Sequence, residues 1–138
     1  MCQVTVIIPT YNRRALVQQA IDSVLAQTYT DYEIIVVDDG STDGTGEALA
    51  ARYGERIRYF CQENKGRALA RNLGIAEALG EYVSFLDSDD LFRQDELERH
   101  IQGMADHPEI DLGFTSYTTI PGMGTLIRSL ICASRTSA

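Results

Sequence analysis

Short runs of β-branched and aromatic residues recur along this chain, and the stretches between them carry apolar residues at helical spacing. No other feature constrains the fold as strongly. Strands separated by ten or more helix-patterned residues build βαβ units, and right-handed crossovers then lay the strands side by side in parallel. The first strand is expected over Gln3–Ile8, stopping at Pro9, which has no N–H to give a ladder. A helix follows over Arg13–Gln27, with Leu16, Ala20, Ile21, Val24 and Leu25 at helical spacing. The second strand is Tyr32–Val37, whose Ile34-Ile35-Val36-Val37 run suits burial on both faces of a parallel sheet. A turn then leads into a short helix at Thr45–Tyr53. Further on come a strand at Ile57–Gln62, a helix at Gly66–Leu79 and a strand at Tyr82–Leu86. A charged helix at Gln94–His107 ends at Pro108, and a fifth strand is expected at Leu112–Ile120. Residues 121–138 break the pattern, being rich in Gly, Ser and Ala, and are expected to be an irregular tail or a truncation remnant. The reading is a single α/β domain over 1–120, with a mostly parallel sheet and flanking helices.

Charge narrows the function. Twenty Asp and Glu face twelve Lys and Arg, a net charge of −8, and Lys65 is the single lysine. Phosphate contacts along a nucleic acid or an anionic membrane need clustered cations, so neither is an expected partner. Cys2, Cys61 and Cys132 are odd in number and widely spaced, which fits neither a disulfide framework nor a zinc site. No apolar run is long enough to span a bilayer, and no basic leader precedes the first strand, so a cytoplasmic location is expected. The acids are unevenly spread. Residues 31–43 hold five with no base, residues 87–98 hold six with one, and none follows Asp111.

In open α/β sheets the ligand crevice lies beyond the carboxyl ends of the strands, where the strand order reverses. For an order beginning 3-2-1-4, three segments meet there: Pro9-Thr10-Tyr11-Asn12, Asp38-Asp39-Gly40-Ser41 and Asp87-Ser88-Asp89-Asp90. Glycine-rich phosphate loops are absent from the first turn. Asp87 and Asp89, two apart in an extended chain, point to one side. They can hold a hard divalent cation that in turn holds a diphosphate; they can equally be a solvated turn that caps the next helix. One of Asp38 and Asp39 can accept from a ring N–H of a base, while the other satisfies turn amides. Tyr11 is a candidate to stack on a base or a packing aromatic. Lys65, Arg67 and Arg71 open a helix and face either phosphate or solvent. His100 and His107, seven apart on the charged helix, are expected at the surface, and no Ser-His-Asp device is supported.

Five blocks in order carry a resemblance: Val4–Asn12, Ala20–Gln27, Glu33–Thr45, Asn64–Gly74 and Gly80–Asp90. Together, from about Gln3 to Thr119, the chain resembles the family 2 glycosyltransferases. The resemblance implies a GT-A fold and transfer of a sugar from a nucleotide-diphospho-sugar, usually with inversion. By position Pro9, Thr10, Tyr11 and Asn12 fall in the nucleotide pocket, and Asp39 accepts from the base, commonly uracil. Lys65, Arg71, Asp87 and Ser88 approach the nucleotide. Asp89, with Asp87, binds Mn²⁺ or Mg²⁺ bridging the phosphates of a UDP-sugar.

Part of the family pattern is missing. An inverting transferase needs a base for the acceptor hydroxyl. In the family that base is an acid well beyond the acid-x-acid step, whereas here no acid follows Asp111 and no Trp occurs anywhere. The chain is therefore read as a donor-binding half whose acceptor, unidentified, and catalytic base lie outside it. The alternative is a nucleotide-sugar-binding module without transfer activity. A receiver-like domain is disfavoured because it wants a lysine after a late strand, and a nucleotidyltransferase because it favours a glycine-rich basic start.

Overall fold

The computed structural model describes residues 2–114 and 130–133. Its sheet has six strands in the order β3-β2-β1-β4-β6-β5: β1 (Val4–Thr10), β2 (Tyr32–Asp38), β3 (Arg58–Cys61), β4 (Tyr82–Phe85), β5 (Leu112–Phe114) and β6 (Leu130–Ala133). The first four run parallel in the expected 3-2-1-4 arrangement, while β6 pairs antiparallel with both β4 and β5. Helices α1 (Arg14–Leu25), α2 (Thr45–Tyr53), α3 (Arg67–Glu77) and α4 (Glu96–Asp106) flank it. No helix among the described residues is long and apolar enough to cross a membrane.

All seven residues of β1 are buried, and their alternation sorts them into two cores. Val4, Val6 and Ile8 pack with Val17, Ala20, Ile21 and Val24 of α1 and with Leu49 of α2. Ile7 goes to the opposite face, with Ile35, Val37 and Ala70 of α3. Each such apolar side chain, fully buried, contributes roughly 1.5–3 kcal/mol. On that second face α3 lies close to the sheet at Gly74, where a Cβ would come 2.5 Å from Ile7 Cγ2.

Two expected boundaries move. Strand β1 runs through Pro9 to Thr10 instead of stopping. Odd-numbered residues of β1 turn their hydrogen-bonding groups toward β4, as the Leu86 N–H to Ile7 carbonyl bond shows. Strand β4 pairs with β1 only as far as Phe85 opposite Ile7, so the N–H that Pro9 lacks falls where no strand wants it. At the other end, Leu130–Ala133 forms β6 inside the segment expected to be irregular. The remaining tail residues, and positions 115–120 of the expected fifth strand, lie outside the described residues.

His100 corrects a further expectation. It is 6% exposed and sits on the buried face of α4 with Leu97 and Met104, its Nε2 3.4 Å from Glu96 Oε1. Positions 97, 100 and 104 form one helical stripe, and His100 belongs to it by spacing. His107 is exposed, as expected, and lies 3.3 Å from Glu109.

Candidate functional site

The carboxyl ends of β1, β2 and β4 open onto a cavity of about 340 Å³, lined by Pro9, Thr10, Tyr11, Arg13, Asp39, Asn64, Gly66, Arg67, Ala70 and Ser88. It lies where the strand order reverses, and the three expected segments all reach its neighbourhood. Six of the expected site residues form its wall: Pro9, Thr10, Tyr11, Asp39, Arg67 and Ser88. Thr10 is 3% exposed and its Oγ1 has no hydrogen-bond partner. A buried hydroxyl at the wall of a cavity, left without a partner, is a polar group with bonding capacity in reserve.

Asp38 and Asp39 divide their labour. Asp38 Oδ1 accepts from the Ser41 N–H at 2.8 Å and Oδ2 from the Tyr59 hydroxyl at 2.7 Å. Burial and that carboxylate push the Tyr59 hydroxyl pKa well above its ordinary value. Asp39 Oδ1 accepts from Gln62 Nε2 at 2.8 Å and from the Lys65 N–H at 2.9 Å; Oδ2 accepts from the Gly66 N–H at 2.9 Å. Burial raises the Asp39 pKa, but the Lys65 amide, the Gln62 side chain and the Gly66 amide outweigh it and hold the carboxyl below its ordinary value. Two carboxylate oxygens offer about four acceptor sites, so three donors leave room for one more. Asp39 thus fastens the loop before α3 and still borders the cavity.

The second acidic cluster lies opposite arginines. Arg71 Nη2 is 2.6 Å from Asp87 Oδ1, Arg67 Nη1 is 3.6 Å from Asp87 Oδ2, and Arg13 Nη1 is 2.8 Å from Asp89 Oδ2. The guanidinium of Arg71 lies over the Phe85 ring at 5.7 Å. The Asp90 N–H donates to the Asp87 carbonyl at 3.0 Å, closing a turn. That turn gathers Asp87, Asp89 and Asp90 so that one carboxylate oxygen from each lies within 4.8 Å of the others. Clustered carboxylate oxygens are the donor set that Mg²⁺ and Mn²⁺ prefer, so these residues fit such an ion.

Other expected residues stand elsewhere. Asn12 turns its side chain to the neighbouring loop, where Oδ1 accepts from the Thr42 N–H at 2.8 Å. Lys65 reaches Glu63 with its ammonium at 3.9 Å and contributes only its backbone N–H near the cavity. Arg71 and Asp87 lie beside the lining rather than in it. Arg13, Asn64 and Gly66 were not singled out by the sequence reading. Gly66, at φ +96°, is the one that a signal could have revealed: a glycine directly before a helix marks a left-handed backbone step.

The chain is similar to several known proteins. An uncharacterized glycosyltransferase of Rickettsia felis is 46% identical over 129 residues, 93% of this chain and 21% of that protein. The S. aureus TarS 1–349 structure in complex with UDP-GlcNAc superposes with a TM-score of 0.75 at 27% identity, covering 87% of this chain and 36% of that one. The mannosyltransferase PcManGT from Pyrobaculum calidifontis, in complex with GDP-Man and Mn²⁺, gives 0.74 at 28% identity, covering 95% and 44%. The chain therefore spans about a fifth of the length of the Rickettsia relative. Its six-stranded, mostly parallel sheet is that of the GT-A glycosyltransferases. Matched over residues 5–129 by the sequence profile of glycosyl transferase family 2, the chain belongs to that family.

Proposed function

We propose that this chain binds the nucleotide-diphospho-sugar donor for a sugar transfer completed with an acceptor site outside it. The observation that carries the reading is the cavity at the switch point, walled by Thr10, Tyr11, Asp39, Arg13 and Arg67, with the gathered carboxylates of Asp87 and Asp89 ion-paired to those arginines beside it. Tyr11, 46% exposed at the cavity wall, offers a ring face to a base. The remaining acceptor capacity of Asp39 suits an imide N–H, which favours uracil and a UDP-sugar. Thr10 and Ser88 supply hydroxyls along the floor.

Asp87 and Asp89 would hold Mn²⁺ or Mg²⁺ here; the PcManGT structure is a complex with GDP-Man and Mn²⁺. Such an ion would supply positive charge to the leaving diphosphate. Arg13, Arg67 and Arg71 are placed to exchange their carboxylate partners for phosphate oxygens when a donor enters. In this reading the sugar is transferred with inversion, and a base of the acceptor half takes the acceptor proton.

Titration calorimetry of the 138-residue chain with UDP and with GDP, each with Mn²⁺, tests the proposal. Binding of UDP, tighter than GDP, is expected. A folded sample that takes up neither nucleotide refutes the donor-site reading.

A further inference from the structure

Asn12 is the one non-glycine residue among those described with a positive φ, +48°. Asparagine tolerates that left-handed conformation better than most side chains because its short amide bonds locally. Here both its backbone and its side chain bond across a gap. The Asn12 N–H donates to Ser41 Oγ at 2.8 Å, and Asn12 Oδ1 accepts from the Thr42 N–H at 2.8 Å. Two residues on, the Arg14 N–H donates to Asp43 Oδ2 at 3.1 Å. The loop between β1 and α1 is thereby stitched to the loop between β2 and α2. Asn12 itself does not line the cavity, whereas its neighbours Tyr11 and Arg13 both do.

The loop it grips is itself anchored. Asp38 accepts from the Ser41 N–H, so the hydroxyl that receives the Asn12 N–H stands on a turn held by a buried carboxylate. At Gly40, φ +86°, a Cβ would press on Asn64 N at 3.1 Å and on the Gln62 carbonyl at 3.3 Å. The partner loop is therefore a fixed reference against which the exposed Tyr11 is set.

From this geometry we infer that Asn12 is a positioning residue: it touches no ligand, and it holds Tyr11 at the cavity wall through Ser41 and Thr42. The inference rests on the donor-site reading. It predicts that loss of the Asn12 amide weakens nucleotide binding only as long as Tyr11 is present to be positioned.

The test is a double-mutant cycle read by calorimetry with UDP plus Mn²⁺, and with GDP plus Mn²⁺, on the full 138-residue chain. Asn12→Gly keeps the backbone conformation accessible and removes the acceptor. It should weaken binding about tenfold, the equivalent of about 1.4 kcal/mol. In a Tyr11→Ala background the same change should have no further effect. Asn12→Asp, which keeps an acceptor oxygen, should restore most of the affinity. Ser41→Ala, which leaves residue 12 intact, should weaken binding in the same Tyr11-dependent manner. A role confined to stability would instead lower the melting temperature and weaken binding equally in both backgrounds, and that result overturns the inference. So does an Asn12→Gly affinity equal to that of the unsubstituted chain. If the unsubstituted chain binds neither nucleotide, the donor-site reading fails first and takes the inference with it, a result distinct from the other two.

Discussion

Replacing Asp39 by alanine should damage the protein in two separable ways. The substitution removes three hydrogen bonds to a carboxylate, from Gln62 Nε2 and from the Lys65 and Gly66 amides. A bond to a charged group contributes about 1.5–3 kcal/mol when its partner is left stranded. Lys65 and Gly66 are exposed, so water takes over part of that bonding, and relief of the carboxylate's own desolvation offsets more. A net loss of about 3 kcal/mol is expected. For a domain of this size that corresponds to a fall of roughly 10 °C in Tm. The loss should depend on pH with a defined sign. The native carboxyl is held below its ordinary value. Its stabilisation is therefore fully present above the unfolded value of about 3.9 and fades as pH falls through the lower native one. Thermal melts of both proteins from neutral to acid pH supply the assay. The gap between them should be wide near pH 7 and narrow below about pH 4. An Asp39→Ala protein as stable as its parent at neutral pH, or a gap that widens on acidification, would refute the claim that this carboxylate fastens the loop before α3.

Two more substitutions probe other parts of the account. Gly74→Ala places a methyl group 2.5 Å from Ile7 Cγ2, so α3 must shift, and urea unfolding should show a loss of about 1–3 kcal/mol; an unchanged midpoint would mean that the helix is not held at that distance. Asp89→Ala should leave the fold intact, since its ion pair with Arg13 is half-exposed and such pairs contribute at most about 1 kcal/mol. The same variant should lose Mn²⁺ stimulation of UDP binding, and stimulation equal to that of the parent would remove Asp89 from the metal site.

The parallel sheet was legible because its signal is redundant. Ile34-Ile35-Val36-Val37 has to be buried on both faces, and a run of that kind between two helical patterns leaves few topologies open. The switch point followed from strand order, and with it the convergence of Thr10, Asp39 and Ser88. Features set by tertiary context were harder to see. Pro9 reads as a strand terminator until β4 is known to end beside it. His100 reads as a surface residue until Leu97 and Met104 are known to face inward with it. Segment Leu130–Ala133 is a strand through its antiparallel pairing with β4 and β5, and nothing in its own spacing announces that. Asn12 falls inside a motif, which by itself points to the nucleotide pocket and not to a neighbouring loop. Its bonds to Ser41 and Thr42 span about thirty residues, beyond the reach of any local pattern.

The central claim is that a divalent ion on Asp87 and Asp89 holds the donor's diphosphate against the arginines of the cleft. It is tested most directly by titrating UDP into the chain twice, once with Mn²⁺ and once after exhaustive chelation, and comparing the two affinities. Clear binding with the ion and at least a tenfold loss without it, about 1.4 kcal/mol, is the predicted result. Equal affinity in the two titrations would contradict the account, leaving the arginines alone to hold the phosphates and the clustered carboxylates without the role given to them here.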